Sequence, residues 1–301
     1  MQSRKAGGRC RFFRKRPHLQ LSRSGLGLLF EEATAEMKKN QIPIPPSRPW
    51  IIAHRGARDA SPENTRSAFV TALSYPVDGI ELDVQLSADG HLVVYHDWTL
   101  RRLARPGRYL FKAPLSELAA LDWGGWFHPA FAGEPLPLLQ PILAELGPRT
   151  RWLIEIKSHP AEKANGRALH LTHAVLDLLD SLGDRIPDEA AYVLSFDADL
   201  LRLAAERRPE RRYVLNLSEK EADSLKDGHA ATDHLWGVDA PVSKVSAQLA
   251  EWARKRNLRI FAYTCNGPRQ VVKALRLGLD GVITDRPGWL TRLWARAPQP
   301  F

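Results

Sequence analysis

An apolar run, Ile51-Ile52-Ala53, ends in His54-Arg55-Gly56-Ala57, and Ser61-Pro62-Glu63-Asn64-Thr65 follows at once. This is how a buried strand reads when its carboxyl end opens into a functional site. Histidine is the side chain whose unperturbed pKa lets it exchange a proton near neutral pH. Arg55 offers a planar fork matched to a phosphate or carboxylate. Gly56 allows a sharp turn or a close backbone approach to a ligand. Taken alone, the tripeptide reads more simply as a capped strand end with a solvated His-Arg pair.

Two further segments change that balance. In Gly79-Ile80-Glu81-Leu82-Asp83-Val84, the two acids lie two apart, so on a strand they share one face. Carboxylates side by side among Ile80, Leu82 and Val84 repel each other, and burial raises their pKa values or demands a cation. A half-exposed antiparallel strand with its acids in water is the simpler alternative; a metal is the better account. Trp152-Leu153-Ile154-Glu155-Ile156-Lys157 repeats the device with Glu155 and Lys157 on one face, a pair that alone reads equally well as an ion-paired strand end. Leu92-Val93-Val94-Tyr95-His96-Asp97 supplies a second histidine at a strand end.

Together these segments resemble the glycerophosphodiester phosphodiesterase family. The residues that carry the resemblance are His54-Arg55-Gly56, Pro62-Glu63-Asn64-Thr65, Glu81-Leu82-Asp83-Val84, Asp89-Gly90, His96-Asp97, Glu155-Ile156-Lys157 and Ile283-Thr284-Asp285-Arg286-Pro287. They occur in order from about Trp50 to about Trp289. The resemblance implies a (β/α)₈ TIM barrel with a small insertion after the His96 strand. It also implies hydrolysis of glycerophosphodiesters to glycerol 3-phosphate and an alcohol, in an enzyme of the bacterial cytoplasmic type.

Phosphodiester cleavage needs the phosphate charge neutralised, a proton taken from the attacking oxygen and a proton given to the leaving one. Glu81, Asp83 and Glu155 suit one hard divalent cation, Mg²⁺ or Ca²⁺, which prefers oxygen ligands. Arg55 and Lys157 add positive charge to the phosphate, and His54 and His96 exchange base and acid roles. Glu63 and Asn64 are expected to begin the first helix, where they orient His54, touch the ligand or simply cap the helix.

Two places depart from the family pattern. Tyr263-Thr264-Cys265-Asn266 stands where an aromatic-Thr-Val-Asn run, commonly with Trp, is expected. Tyr263 could keep the stacking role, and Cys265 reads as a small core residue. After His96-Asp97 the chain reads Leu100-Arg101-Arg102-Leu103-Ala104-Arg105-Pro106-Gly107 instead of an Arg-Thr-x-x-Gly-like run. The remaining histidines, 91, 128, 159, 170, 173, 229 and 234, match no motif and are expected on the surface.

The elements that must hold these residues follow from the pattern of the body. Strand candidates are 50–53, 79–84, 92–96, 151–157, 191–195, 212–216, 235–239, 259–264 and 281–284. Helical patterns run from Glu63 to Ser74, Ala164 to Ser181, Ala198 to Arg207, Ser246 to Arg256 and Pro268 to Leu277. That is one strand more than a barrel needs. The link from Gln85 to His91 is too short for a helical crossover, so one of the two strands it joins departs from βα alternation. An open doubly wound sheet is the runner-up, but the Gly-rich loop such sheets use for phosphate is missing after the first strand. Barrel active sites lie at the carboxyl ends of the strands, where His54, His96, Lys157, Thr264 and Asp285 fall. The stretch from Trp98 to Leu139 exceeds a simple loop; at least one of Trp123 and Trp126 is expected to pack as a structural cap.

The chain has 301 residues, 44% of them hydrophobic, with no apolar run long enough to cross a bilayer. Cys10 and Cys265 offer no disulfide framework, consistent with a reducing cytoplasm. The formal charge of +9 is concentrated: residues 1–48 carry +8 and residues 49–301 only +1. That argues against a nucleic-acid partner for the body. The basic segment is a poor signal peptide and is expected to be a disordered tail, or an over-long start with Met37 the true first residue. Membrane contact through residues 1–30 is the less favoured alternative. A chain beginning at Met37 should therefore match the full chain in melting temperature and in turnover of soluble substrate. A marked fall in melting temperature would show that the segment packs on the barrel.

Two other functions compete. A lysophospholipase D-type activity would be supported by an apolar groove near Trp123 to Phe131. A non-catalytic phosphoester-binding barrel would have no use for an acid-base pair of histidines.

Overall fold

A computed structural model of the chain describes residues 48–224 and 232–295. The expectations for residues 1–47, Cys10 and His229 lie outside the described residues. Among the described residues, nine strands form one sheet: β1 (Trp50–His54), β2 (Gly79–Leu86), β3 (Leu92–Val94), β4 (Arg151–Ile156), β5 (Ala191–Ser195), β6 (Arg212–Asn216), β7 (Gly237–Pro241), β8 (Arg259–Tyr263) and β9 (Gly281–Thr284). Eight of them, all but β3, run parallel in the order β1-β9-β8-β7-β6-β5-β4-β2, and β1 pairs with β2 to close the barrel. The extra strand is β3, which pairs antiparallel with β2 outside the closed ring. The short link before it permits nothing else.

Alternation along each strand decides which residues face the site. On β1, Ile51 and Ala53 pack outward among the helices, while Ile52 points into the barrel with Leu153, Tyr192, Leu194, Val214, Phe261 and Ile283. On β2, Ile80, Leu82 and Val84 pack outward and Glu81 and Asp83 face inward, 3% and 0% exposed. The alternative of a half-exposed antiparallel strand is therefore excluded, because β2 lies between two parallel neighbours, β1 and β4. Register then brings the acids together: His54 pairs with Glu81, and Asp83 with Glu155. The opposite end of the barrel is plugged by rings. Trp50 stacks on Trp236 at 5.9 Å, and the Arg151 guanidinium lies 4.5 Å over Trp50.

The first helix is shorter than its sequence pattern. It spans Arg66–Leu73, and Thr65 caps it by accepting from the Ala68 N–H. Glu63 and Asn64 precede it, so neither begins the helix as expected, and Asn64 does not cap it. Its backbone is left-handed at φ 60°, which turns its amide toward β2 instead. The expected 164–181 helix is present as Arg167–Leu182, and a separate short helix, Pro160–Ala164, precedes it, with Gly166 at φ 78° between them. Helices at Leu139–Leu146, Glu219–Ser224 and Pro287–Ala295 were not anticipated. Between β3 and Leu139–Leu146 the chain builds a small core of its own. Trp123, 2% exposed, packs there against Tyr95 with ring centroids 5.4 Å apart. Trp123 is thus the structural cap, and Trp126 lies half-buried beneath the Arg102 guanidinium at 4.6 Å.

The turn after β1 has no slack. Gly56 sits at φ +81°, and a Cβ there would meet the backbone of Ala68 at 2.7 Å. Gly56→Ala is expected to destabilise the protein by about 2 to 4 kcal/mol, from left-handed strain and the clash together. Urea denaturation would measure it. A change below about 0.5 kcal/mol would mean that this turn is free to relax and does not fix the neighbouring His54 and Arg55.

Candidate active site

His54 closes β1, and its Nδ1 lies 2.6 Å from Asp285 Oδ1, just past β9. Asp285 is itself held. Asn266 Nδ2 donates to its Oδ2 at 2.6 Å, and Asn266 Oδ1 accepts from its backbone N–H at 2.9 Å. Burial pushes the Asp285 carboxyl up, but the bonded His54, with Arg58 and Asn266, outweighs it and holds the group at about 2. Burial also lowers the pKa of His54. The hydrogen bond to Asp285 opposes that shift, and the charge of Arg55 adds to it. His54 is therefore neutral at pH 7. A neutral ring that donates Nδ1–H to Asp285 leaves Nε2 as the acceptor, 3.9 Å from Glu81 Oε2.

His96 follows β3 and is oriented the same way, its Nδ1 2.9 Å from Asp97 Oδ1. Arg102 Nη2 lies 2.8 Å from Asp97 Oδ2, and its Nη1 reaches Glu63 Oε1 at 2.8 Å. Among the described residues, no hydrogen bond or ion pair joins Glu63 to His54. Glu63 gathers three arginines, with Arg55 Nη1 at 2.9 Å and Arg58 Nη2 at 2.6 Å besides Arg102. Asn64 Nδ2 donates to Asp83 Oδ2 at 2.8 Å. Both residues support the site, by routes different from those expected of a helix start.

The three acids converge. Glu81, Asp83 and Glu155 each present an oxygen within 4.8 Å of the others. Burial and the repulsion of Asp83 and Glu155 push Glu81 well above the usual carboxylate range. Glu155 is also raised, chiefly by burial, although Lys157 opposes the shift. For Asp83, burial is outweighed by Arg55 and Lys157, which hold it far below its ordinary value. Arg55 Nε lies 3.1 Å from Asp83 Oδ2, and Lys157 Nζ lies 2.9 Å from Glu155 Oε1. Asp83 Oδ1, fully buried, has no hydrogen-bond partner among the described residues; Lys157 Nζ is 3.5 Å away. Three clustered carboxylates, two of them with pKa values raised by burial and by neighbouring carboxylates and the third with an orphaned oxygen, fit a hard divalent cation.

His54, Arg55, Glu81, His96, Glu155 and Lys157 line one cavity of about 350 Å³, together with Arg58, Asn216 and Asp239. Asp83, Glu63 and Asn64 are buried around it. Arg58, Arg102, Asn216, Asp239 and Asn266 have no site role in the sequence reading, although Arg102 and Asn266 fall in the two runs compared with the family pattern. Asn216 and Asp239 carried a readable signal, a polar residue in the last positions of a short apolar strand. Arg102 carried none, because its role depends on how the insertion folds back.

Cys265 is a buried core residue, its thiol pushed up to about 12 by burial. The Tyr263 hydroxyl is tied to Leu217 O at 2.8 Å. His159 is not a plain surface residue. It packs between Trp98 at 5.0 Å and Phe111 at 5.2 Å, and so fastens the insertion to the loop after β4. His173 and His234 are likewise half-buried.

The parallel eight-stranded barrel thus carries two histidines and an acidic triad at the carboxyl ends of its strands, where barrel active sites lie. Residues 54–289 match the model of the glycerophosphoryl diester phosphodiesterase family. The chain belongs to that family. It is 30% identical over 246 residues to a glycerophosphodiester phosphodiesterase of Caldanaerobacter subterraneus subsp. tengcongensis, covering 81% of this chain and 96% of that protein. It is 28% identical over 277 residues to a Bacillus subtilis glycerophosphodiester phosphodiesterase, covering 89% and 93%. Among solved structures, an Oleispira antarctica phosphodiesterase in complex with the product sn-glycerol-3-phosphate superposes with a TM-score of 0.70 at 25% identity, over 82% of this chain and 96% of that one. The Thermotoga maritima glycerophosphodiester phosphodiesterase superposes with a TM-score of 0.65 at 26% identity, over 82% and 99%. Among the described residues, no helix is long and apolar enough to cross a membrane.

Proposed function

We propose that the chain hydrolyses glycerophosphodiesters to glycerol 3-phosphate and an alcohol by metal-assisted acid-base catalysis. The observation that carries this reading is one cavity lined by two histidines, each braced by its own carboxylate, beside a buried three-acid cluster. Glu81, Asp83 and Glu155 would hold one Mg²⁺ or Ca²⁺, which supplies charge neutralisation at the phosphate and lowers the pKa of a bound hydroxyl. Arg55 and Lys157 place fixed positive charge at the same wall. His54 Nε2 takes the proton of the attacking oxygen as the bond to phosphorus forms. His96, held by Asp97, gives a proton to the departing alkoxide. If the glycerol 2-hydroxyl attacks first, a cyclic phosphate results, and the two histidines reverse roles when water opens it. Two braced histidines favour catalysis over phosphoester binding alone.

The leaving alcohol has room in an adjoining cavity of about 570 Å³, lined by Trp98, Lys163, Phe196, Asp197 and Asp199 among others. Lys163, Asp197 and Asp199 give a polar alcohol charged partners there, beside the apolar faces of Trp98 and Phe196. Trp123, at the start of the stretch where an apolar groove would support a lysophospholipid substrate, is buried inside the insertion. The free, buried Cys265 agrees with a cytoplasmic setting. The complex of the Oleispira antarctica neighbour with sn-glycerol-3-phosphate supports the product assignment. Turnover of a panel of glycerophosphodiesters and lysolipids, with and without chelator, tests the proposal. Glycerol 3-phosphate should form from the former and be abolished by the chelator. Preferential turnover of lysolipids would overturn the substrate class.

A further inference from the structure

The catalytic cavity has a second polar wall that the mechanism does not use. Asn216 ends β6 and Asp239 lies on β7, paired with it in register, and each is only 3% exposed. Asn216 Nδ2 donates to Glu155 Oε2 at 3.1 Å, which fixes the amide and leaves its Oδ1 without a partner among the described residues. Asp239 Oδ1 is equally without a hydrogen-bond partner. Tyr263, on the same wall, cannot help, since its hydroxyl is committed to Leu217 O. Buried polar atoms in folded proteins are nearly always bonded. Two adjacent orphans lining one cavity call for a ligand group that can bond both.

Chemistry narrows that group. A phosphate oxygen would face two acceptors and the nearby Glu155, while Arg55 and Lys157 offer it a better wall. An apolar group would leave both orphans unbonded. A hydroxyl donates its one proton to Asn216 Oδ1 or to an ionised Asp239, and it bonds both residues when Asp239 is protonated, accepting from the carboxyl O–H while donating to Asn216 Oδ1. This matters because burial and the charge of Glu155 push the Asp239 carboxyl well above its ordinary range. The substrate class proposed above carries a primary hydroxyl on its glycerol, on the carbon beside the one that bears the secondary hydroxyl.

We infer that Asn216 and Asp239 form a subsite that reads the primary hydroxyl of the glycerol moiety, so that the enzyme selects glycerol over diols lacking that group. The inference rests on the reading of the site as a glycerophosphodiesterase. It is tested on the full chain with two diesters sharing ethanolamine as leaving alcohol. One is glycerophosphoethanolamine. The other has propane-1,2-diol in place of glycerol and so keeps the hydroxyl beside the phosphoester.

The wild-type kcat/KM should favour the glycerol diester about tenfold or more, because a site built around a hydroxyl rejects the analogue that lacks it. In Asp239→Leu, which keeps the volume and removes both oxygens, that ratio should collapse to within about threefold. Where this variant does not fold, equilibrium binding to the wild-type chain reads the same contrast: glycerol 3-phosphate should bind about tenfold or more tightly than propane-1,2-diol 1-phosphate. A wild-type ratio near one overturns the subsite while leaving the phosphodiesterase reading in place. A ratio preserved in Asp239→Leu, with both rates falling together, also overturns it and makes Asp239 a support for Glu155. Turnover of neither diester overturns the phosphodiesterase reading and the subsite with it.

Discussion

Alanine in place of His54 is expected to lower kcat by on the order of 10²- to 10⁴-fold for an unactivated alcohol leaving group, with a smaller change in KM. The ring is neutral at pH 7 because burial and Arg55 lower its pKa, and its Nδ1 is occupied by Asp285 at 2.6 Å. Only Nε2 remains to accept a proton, and it faces the acids. Since the base form lies above a lowered pKa, kcat/KM should rise with pH and level off at a point below the ordinary histidine value of 6.5. Asp285→Asn sharpens the test. Asp285 raises the His54 pKa, so its loss should move the acid limb to still lower pH. It should also cost about 10- to 10²-fold in kcat through the wrong tautomer and a freed ring. A merely structural role for Asp285 would leave the limb where it was. Stability should respond with the opposite economy. The Asp285 pKa is depressed to about 2 in the folded chain. Its stabilising contribution is thus present above the unfolded value near 3.9 and is lost as pH falls through about 2. The Asn variant should lack that component of acid unfolding. An unchanged pH–rate profile together with near-normal turnover in His54→Ala would end the base assignment.

Much of this site was legible because parallel barrel strands are short apolar runs whose last residues meet the ligand. β5, β6 and β9 fall on the residues that their composition marked, and alternation alone put Glu81 with Asp83 and Glu155 with Lys157. The extra strand β3 was readable as an irregularity from the seven residues that separate the two candidates. What sequence could not show were contacts between distant segments. Glu63 reads as a helix-start acid, yet three arginines from two loops converge on it. Asn64 reads as a cap, and only a left-handed backbone turns it to Asp83. His159 reads as a solvated histidine until an insertion some fifty residues earlier lays Trp98 and Phe111 against it. Asn266 and Asp285, nineteen residues apart, become one unit only because β8 and β9 are neighbours.

Asp83→Ala is expected to lower kcat by on the order of 10³-fold, from the loss of several kcal/mol of charge stabilisation. It should also abolish the rise in melting temperature that a divalent cation gives the wild type. Asp83 has the clearest structural claim on a cation: it is fully buried and one oxygen is orphaned. Removing it leaves Arg55 and Lys157 short of an anion, so activity loss alone would not separate metal binding from a local ion-pair effect. The cation-induced melting shift does separate them, because it reads binding to the folded chain directly. Its pH dependence follows from the other two acids. Glu81 and Glu155 are raised in the folded chain, so without a cation their ionisation opposes folding. That cost appears as pH rises through the unfolded value near 4.3 toward the higher folded values. A cation binds only the ionised acids and relieves the same repulsion, so its stabilising shift should grow with pH across this range. The measurement is a thermal melt of chelator-treated protein with Mg²⁺ or Ca²⁺ added back at a series of pH values. A shift that is absent at neutral pH, or equal in wild type and Asp83→Ala, would show that the triad holds no cation and that the acids serve Arg55 and Lys157 alone.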